Sequence, residues 1–267
     1  MSAAVEAMPA VRHRSAGFLS TCWFVGKREV RLVWRTPAAF LPGLFIPVFF
    51  FFVQVGALGQ VAAASGAFKH GYATFQLPVS ILFAVSNGGA GLNMVSDIET
   101  GYFDKLLLTP VHRFALLLGA MGADFARVLA QGLFVVAIAM LTGKVHFVTG
   151  IPGALAMVGI ASLWGLAYSA IGFGIALKTG NSQATQSAFV LFFPAVFLTT
   201  AFAPLPALSG WLQTAARYNP ITYLLRAMRS LEIGWFPHLV LGGLVAIAAV
   251  GAVTLTLALL ALRGRVK

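Results

Sequence analysis

The sequence predicts an all-α membrane protein, a single domain over residues 1–267 with six transmembrane helices. Two observations carry most of this. Hydrophobic residues make up 59% of the chain and charged ones only 9%, against about 25% charged in a soluble domain, so a soluble fold would have no surface to present to water. Six separate stretches are long and apolar enough to cross a bilayer, which takes about 20 residues. The same figures exclude a cytoplasmic enzyme, a disordered chain and, with a single Cys (Cys22), a disulfide scaffold or cysteine-based metal site. Seven acidic residues and five histidines, scattered along the chain, make no hydrolytic site.

The six stretches are residues 38–58, 73–95, 122–141, 151–177, 184–203 and 237–262. Pro42 and Pro47 lie in the first, Pro78 in the second and Pro194 in the fifth, where a kink is expected because a neighbouring helix can satisfy the freed carbonyl. Lys and Arg set the orientation. With both termini cytoplasmic, the inner segments hold 12 positive residues and the outer ones 5, leaving Arg127 inside a span. This distribution also accounts for the net charge of +11 without a nucleic-acid partner. Residues 1–14 lack the apolar core of a signal peptide.

Three segments depart from a plain bundle. Residues 15–36 mix Phe18, Trp23, Phe24 and Trp34 with Lys27, Arg28, Arg31 and Arg35. Those charges share a helical face, and the tryptophans belong at headgroup level, so the segment reads as a helix on the inner membrane surface. Its basic side faces membrane lipids or a partner; the alternative is a simple positive-inside anchor. Residues 96–121, too long for a turn between spans, carry Asp97, Glu99, Asp104 and Lys105 around a short amphipathic piece bounded by Gly101 and Pro110. Carboxylates at an anionic membrane surface suit a basic soluble partner, or form a solvated acidic loop. Residues 204–232 hold two short helical patterns split by Asn219-Pro220, neither long enough to span, with Arg226 and Arg229 placed to snorkel toward lipid phosphates or, alternatively, to bind substrate.

Inside the spans, Asp124 and Arg127 stand three residues apart on one helical face, where they can pair, with Gln131 a turn beyond. The pair reads as structural, with a proton path as the alternative. Phe189, Phe193 and Phe197 form an aromatic stripe that either lines a pathway for amphipathic molecules or packs against helices and lipid, with Phe192 beside it. No G-x-x-x-x-G-K-[ST] phosphate loop is present: Gly26-Lys27 is followed by Arg28 and Gly143-Lys144 by Val145. ATP-driven work by that route therefore requires a separate subunit.

Two motifs, in order across nearly the whole chain, resemble those of the type-2 ABC exporter permeases, the family of drug-resistance and polysaccharide export channels. The first is E-x-G-x-x-x-x-L-L-x-T-P, here Glu99, Gly101, Leu106, Leu107, Thr109 and Pro110. The second is matched loosely by Pro204, Pro206, Trp211, Leu212, Tyr218, Asn219, Pro220, Ile221, Thr222, Tyr223 and Arg229. The family often has a basic residue just before the Glu, where Ile98 stands, so no internal ion pair is expected from that position.

The resemblance implies two permeases, identical or not, paired across a central pathway, each resting on a cytoplasmic ATPase. The chain itself then holds no cofactor, and ATP and Mg²⁺ belong to that ATPase. It also implies that residues 97–113 form a coupling helix meeting the ATPase through Glu99, Gly101, Asp104, Thr109 and Pro110. Residues 15–36 become a connecting helix, and 204–232 outer re-entrant helices with Asn219, Pro220, Tyr223 and Arg229 at the exit. The expected function is outward transport of a drug or lipid-like molecule from the cell membrane. Alternatives are a glycan or glycolipid cargo, an ATP-independent carrier or channel, and a membrane scaffold.

Overall fold

The computed structural model describes residues 17–35, 37–86, 91–108 and 113–265, and contains helices and no strand among them. In chain order these are α1 (Phe18–Arg35), α2 (Pro37–Ser65), α3 (Tyr72–Val85), α4 (Leu92–Glu99), α5 (Tyr102–Leu107) and α6 (Arg113–Leu141). There follow α7 (Gly150–Thr179), α8 (Ser182–Phe197), α9 (Gly210–Tyr218), α10 (Pro220–Ile233) and α11 (Pro237–Arg265). A short 3₁₀ turn at Leu205–Ala207 precedes α9.

Among the described residues, four helices carry stretches long and apolar enough to cross a membrane: Gly43–Ser65 in α2, Phe114–Leu141 in α6, Gly150–Thr179 in α7 and Pro237–Gly264 in α11. The other two expected stretches look different. Residues 73–95 are not one described helix: α3 stops at Val85 and α4 starts at Leu92. Between them the sequence carries Gly88, Gly89 and Gly91, each about 1 kcal/mol poorer than Ala as a helix former. The fifth stretch, 184–203, is helical only as far as Phe197, three residues past Pro194.

The centre of the bundle is α3, with nearly every residue buried. It packs against α2, α6, α7 and α10. Its Leu77, Val79, Ile81, Leu82 and Val85 meet Val128 and Val135 of α6, Met157 and Trp164 of α7, and Leu224 and Met228 of α10 in one apolar cluster. Two buried polar contacts fix register. The Trp164 indole donates to Ser86 Oγ at 3.0 Å, and the Tyr168 hydroxyl donates to the Ala188 carbonyl at 2.6 Å. In hydrocarbon such groups need partners within the protein, because no water is available. The helix α11 lies along α7 and also supports α10.

The amphipathic α1 lies against α6. A Cβ on Gly119 of α6 would sit 2.8 Å from Val25 Cβ and 3.0 Å from the Cys22 carbonyl. The two helices approach this closely only because a glycine stands at the crossing. Trp23 and Phe24 point away, each about two-thirds exposed, as befits rings at the membrane boundary.

Candidate functional site

Two sites emerge, at opposite ends of the chain's polar map. The first is an elbow made by α4 and α5. α4 ends at Glu99, and the Thr100 hydroxyl returns to the Ser96 carbonyl at 2.8 Å. Gly101 then turns the chain with φ +70°, a left-handed conformation that side chains with a Cβ rarely adopt. Open space surrounds the position where its Cβ would be, so backbone conformation, and not crowding, selects glycine here. α5 is pinned by Phe103, only 3% exposed, which packs among Met94, Leu117, Met121, Phe173 and Leu262. Its other side presents Asp104, Lys105 and the nearly bare Leu108 to the surroundings, next to exposed Glu99. Thr109 and Pro110 lie outside the described residues.

The elbow is tied to α1 by Arg28. Its guanidinium donates through Nη1 to Asp97 Oδ2 at 2.7 Å and through Nη2 to Asp97 Oδ1 at 2.6 Å. The same guanidinium lies 4.5 Å from the Tyr102 ring centroid. A bidentate arginine-carboxylate fork fixes orientation as well as distance, and the ring adds a cation–π contact. Arg28 therefore does not belong with the lipid-facing charges, as its helical face suggested. Lys27 and Arg31 remain exposed; of Arg35 only the helical backbone is described. The ion pair at this point is made by Asp97, the residue before Ile98. Sequence spacing offered no signal for it, since 69 residues separate the partners.

The second site surrounds α10. Asn219 caps this helix, its Oδ1 accepting from the Ile221 amide at 2.9 Å, while Pro220 occupies the first turn, where its missing N–H costs nothing. The Asn219 amide nitrogen donates to the carbonyls of Ala195 at 2.8 Å and Leu198 at 3.1 Å. These carbonyls belong to the end of α8, where a helix leaves its last acceptors unsatisfied. One side chain thus starts α10 and ties it to α8.

Arg229 turns inward instead of snorkelling. Nε donates to the Phe75 carbonyl at 3.1 Å, Nη1 to Thr200 Oγ1 at 3.1 Å and Nη2 to the Thr200 carbonyl at 3.0 Å. Its guanidinium carbon lies 3.5 Å from the Phe75 ring centroid. The cause is local: α3, the end of α8 and α10 converge there with backbone oxygens free to accept, so the charge finds partners without reaching lipid. Glu232, one turn later, is 1% exposed. Its three-residue spacing from Arg229 is the only sign of it in the sequence. Arg226 is farther out, 5.9 Å from the ring of half-exposed Tyr223.

The aromatic stripe divides. Phe192 is fully buried against Phe83 and Tyr168. Phe193 and Phe197, 47% and 37% exposed and 4.8 Å apart between centroids, continue to Phe202 at 5.1 Å. Phe189 lies in α8, its side chain outside the description. Asp124 and Arg127 pair as expected: Nε and Nη2 donate to Oδ1 at 2.8 and 2.6 Å, and Nη1 donates to Gln131 at 3.3 Å.

Membrane-length helices, an amphipathic helix clamped to a charged elbow, and a short helix tied to the end of α8 make a multi-pass membrane protein. The chain matches the family model described as ABC-2 type transporter over residues 20–233 and belongs to that family. It is 24% identical over 194 residues to a probable doxorubicin resistance ABC transporter permease, DrrC, of Mycobacterium tuberculosis, covering 72% of this chain and 69% of that one. A putative transport permease, ycf38, of Cyanophora paradoxa is 28% identical over 223 residues, covering 80% and 74%. A daunorubicin resistance ABC transporter permease of Streptomyces coeruleorubidus is 24% identical over 260 residues, covering 88% and 90%. The protein is thus a membrane permease of an ABC transporter, and permeases of this kind work with a separate cytoplasmic ATPase.

Proposed function

We propose that the chain exports a hydrophobic or amphipathic, drug-like or lipid-like molecule outward across the cell membrane, as one of two permeases resting on cytoplasmic ATPase subunits. The observation that carries this reading is the clamped elbow. Glu99 and Asp104 are exposed on a turn whose other side is anchored by Phe103 and by the Arg28–Asp97 fork. A docking surface transmits force only if it is rigidly joined to the membrane helices, and this one is joined at two points. When the ATPase closes on ATP and Mg²⁺, basic groups on it pull on Glu99 and Asp104, and α1 and α4 follow.

In this reading the chain crosses the membrane six times, with α3 and α4 sharing the second crossing and α8 forming the fifth. Both termini are cytoplasmic, and α9 and α10 fold back from the outer side, where the Asn219 and Arg229 ties hold the exit. The names of the doxorubicin and daunorubicin resistance relatives support a drug-like cargo. The exposed Phe193 and Phe197, continued by half-buried Phe202, offer such a cargo an aromatic apolar surface.

The test is purification of the tagged chain from its native membrane in mild detergent, followed by mass spectrometry of its companions. An ABC ATPase at one copy per permease is the expected result; a crosslinked preparation with no ATPase refutes the reading. Glu99→Lys should release the ATPase or leave its hydrolysis running without transport, with the permease still folded. Normal transport by that variant would remove Glu99 from the docking surface.

A further inference from the structure

A groove of about 620 Å³ runs between the C-terminal halves of α7 and α11, lined by Ala170, Gly174, Leu177, Leu257, Ala261 and, at its rim, Lys178. Lys178 is the sole polar side chain among the lining residues. It is exposed, and the ion pairs among the described residues join other partners, Arg28 with Asp97 and Arg127 with Asp124. Arg263 is exposed nearby along α11, beside the lining residue Gly264. Leu257 and Leu260, 58% and 56% exposed, flank the groove on its open side. An apolar slot between two membrane-length helices, ending at an exposed cation that makes no ion pair among the described residues, complements a molecule with a hydrocarbon chain and an anionic head. We infer that the groove holds one acyl chain of an anionic phospholipid of the inner leaflet, with the lipid phosphate on Lys178. The inference takes from the proposed function only the placement of these helix ends at the inner face.

The site has a consequence for coupling. Ala170 and Leu177, which line the groove, belong with Ala258 and Leu262 to the small apolar cluster that also holds Met94 of α4 and Phe103 of α5. A chain seated in the groove therefore packs on the back of the core that anchors the elbow. Lipid bound there stiffens the elbow's support, and its removal loosens it.

The experiment is native mass spectrometry of the purified full chain in detergent with added phosphatidylglycerol, phosphatidylcholine of the same acyl chains, or inorganic phosphate. One basic residue at a membrane surface favours an anionic lipid by about fivefold in Kd (about 1 kcal/mol). Phosphatidylglycerol should be retained with that preference over phosphatidylcholine, and Lys178→Gln should abolish the preference while leaving weak retention of both. Ala261→Phe, which fills the slot, should remove retention of both lipids. The surface variant keeps the test valid should the filled one fail to fold. Equal retention of the two lipids, or an unaltered preference in Lys178→Gln, overturns the inference. Displacement of the lipid by millimolar inorganic phosphate also overturns it, because the head alone would then be the ligand. No ATPase is needed for the readout, so failure here leaves the transport reading standing, and failure of ATPase capture leaves this one standing.

Discussion

Arg28 holds three parts of the chain with one side chain: its own helix, Asp97 at the end of α4 and the Tyr102 ring at the start of α5. The pair is partly open, with side-chain exposures of 36% and 17%, so its worth lies between a surface ion pair and a buried one. A double-mutant cycle of Arg28→Ala and Asp97→Ala, read by thermal or denaturant unfolding in detergent, should return a coupling of about 1–2 kcal/mol. Additive single effects would mean that the fork contributes orientation without stability. Arg229 differs in its partners: it is half-buried, its guanidinium donates to the Phe75 carbonyl and the Thr200 oxygens, and Glu232 one turn on is buried. Arg229→Ala removes the donors to the Phe75 carbonyl and to both Thr200 oxygens and should cost about 1–3 kcal/mol, seen as a fall in unfolding temperature. Arg229→Lys, with one donor group in place of a planar fork, should recover part of that loss.

The crossing of α1 on α6 depends on Gly119. Gly119→Ala places a methyl against Val25 and the Cys22 carbonyl, so the helices must separate, at a cost of about 1–3 kcal/mol. Cys22, half-buried beside this crossing and the sole cysteine, reports the separation directly. Its alkylation by a maleimide should quicken in the variant, and an unchanged rate would mean that α1 adjusts without leaving α6. Helices of this kind were legible from composition and spacing: the amphipathic α1, the breaks at Gly101 and at Asn219-Pro220, and the long apolar α6, α7 and α11. The division of 73–95 into α3 and α4 was not, because hydropathy summed over a window is insensitive to a run of glycines within it. The early end of α8, three residues past Pro194, escaped because the same window sum takes no account of a proline.

The described bundle is organised around a buried α3, with the Asp124–Arg127 pair lying within the membrane-length α6. The proposed orientation predicts that cysteines placed at Lys69 and Lys144, in a Cys22→Ser background, react with a membrane-impermeant maleimide in intact cells. A cysteine at Lys178 should react only after the membrane is opened. The reverse pattern would invert the molecule and exchange the inner and outer sites. Because Lys69, Lys144 and Lys178 are all exposed, a failure to label would reflect topology and not burial.

Hydropathy, charge placement and turn residues are local properties, carried by neighbours in the chain. They were enough for the membrane class, the amphipathic α1, the position of the elbow, the Asp124–Arg127 pair three residues apart and the family resemblance. Contacts between distant residues are not local, and no periodicity encodes them. Folding alone brought Arg28 to Asp97, turned Arg229 away from lipid toward Phe75 and Thr200, joined Asn219 to the end of α8, and separated Phe192 from its exposed neighbours. In each case a polar or aromatic group in an apolar surrounding took the nearest partner that packing supplied, and that partner became known only when the helices were placed side by side.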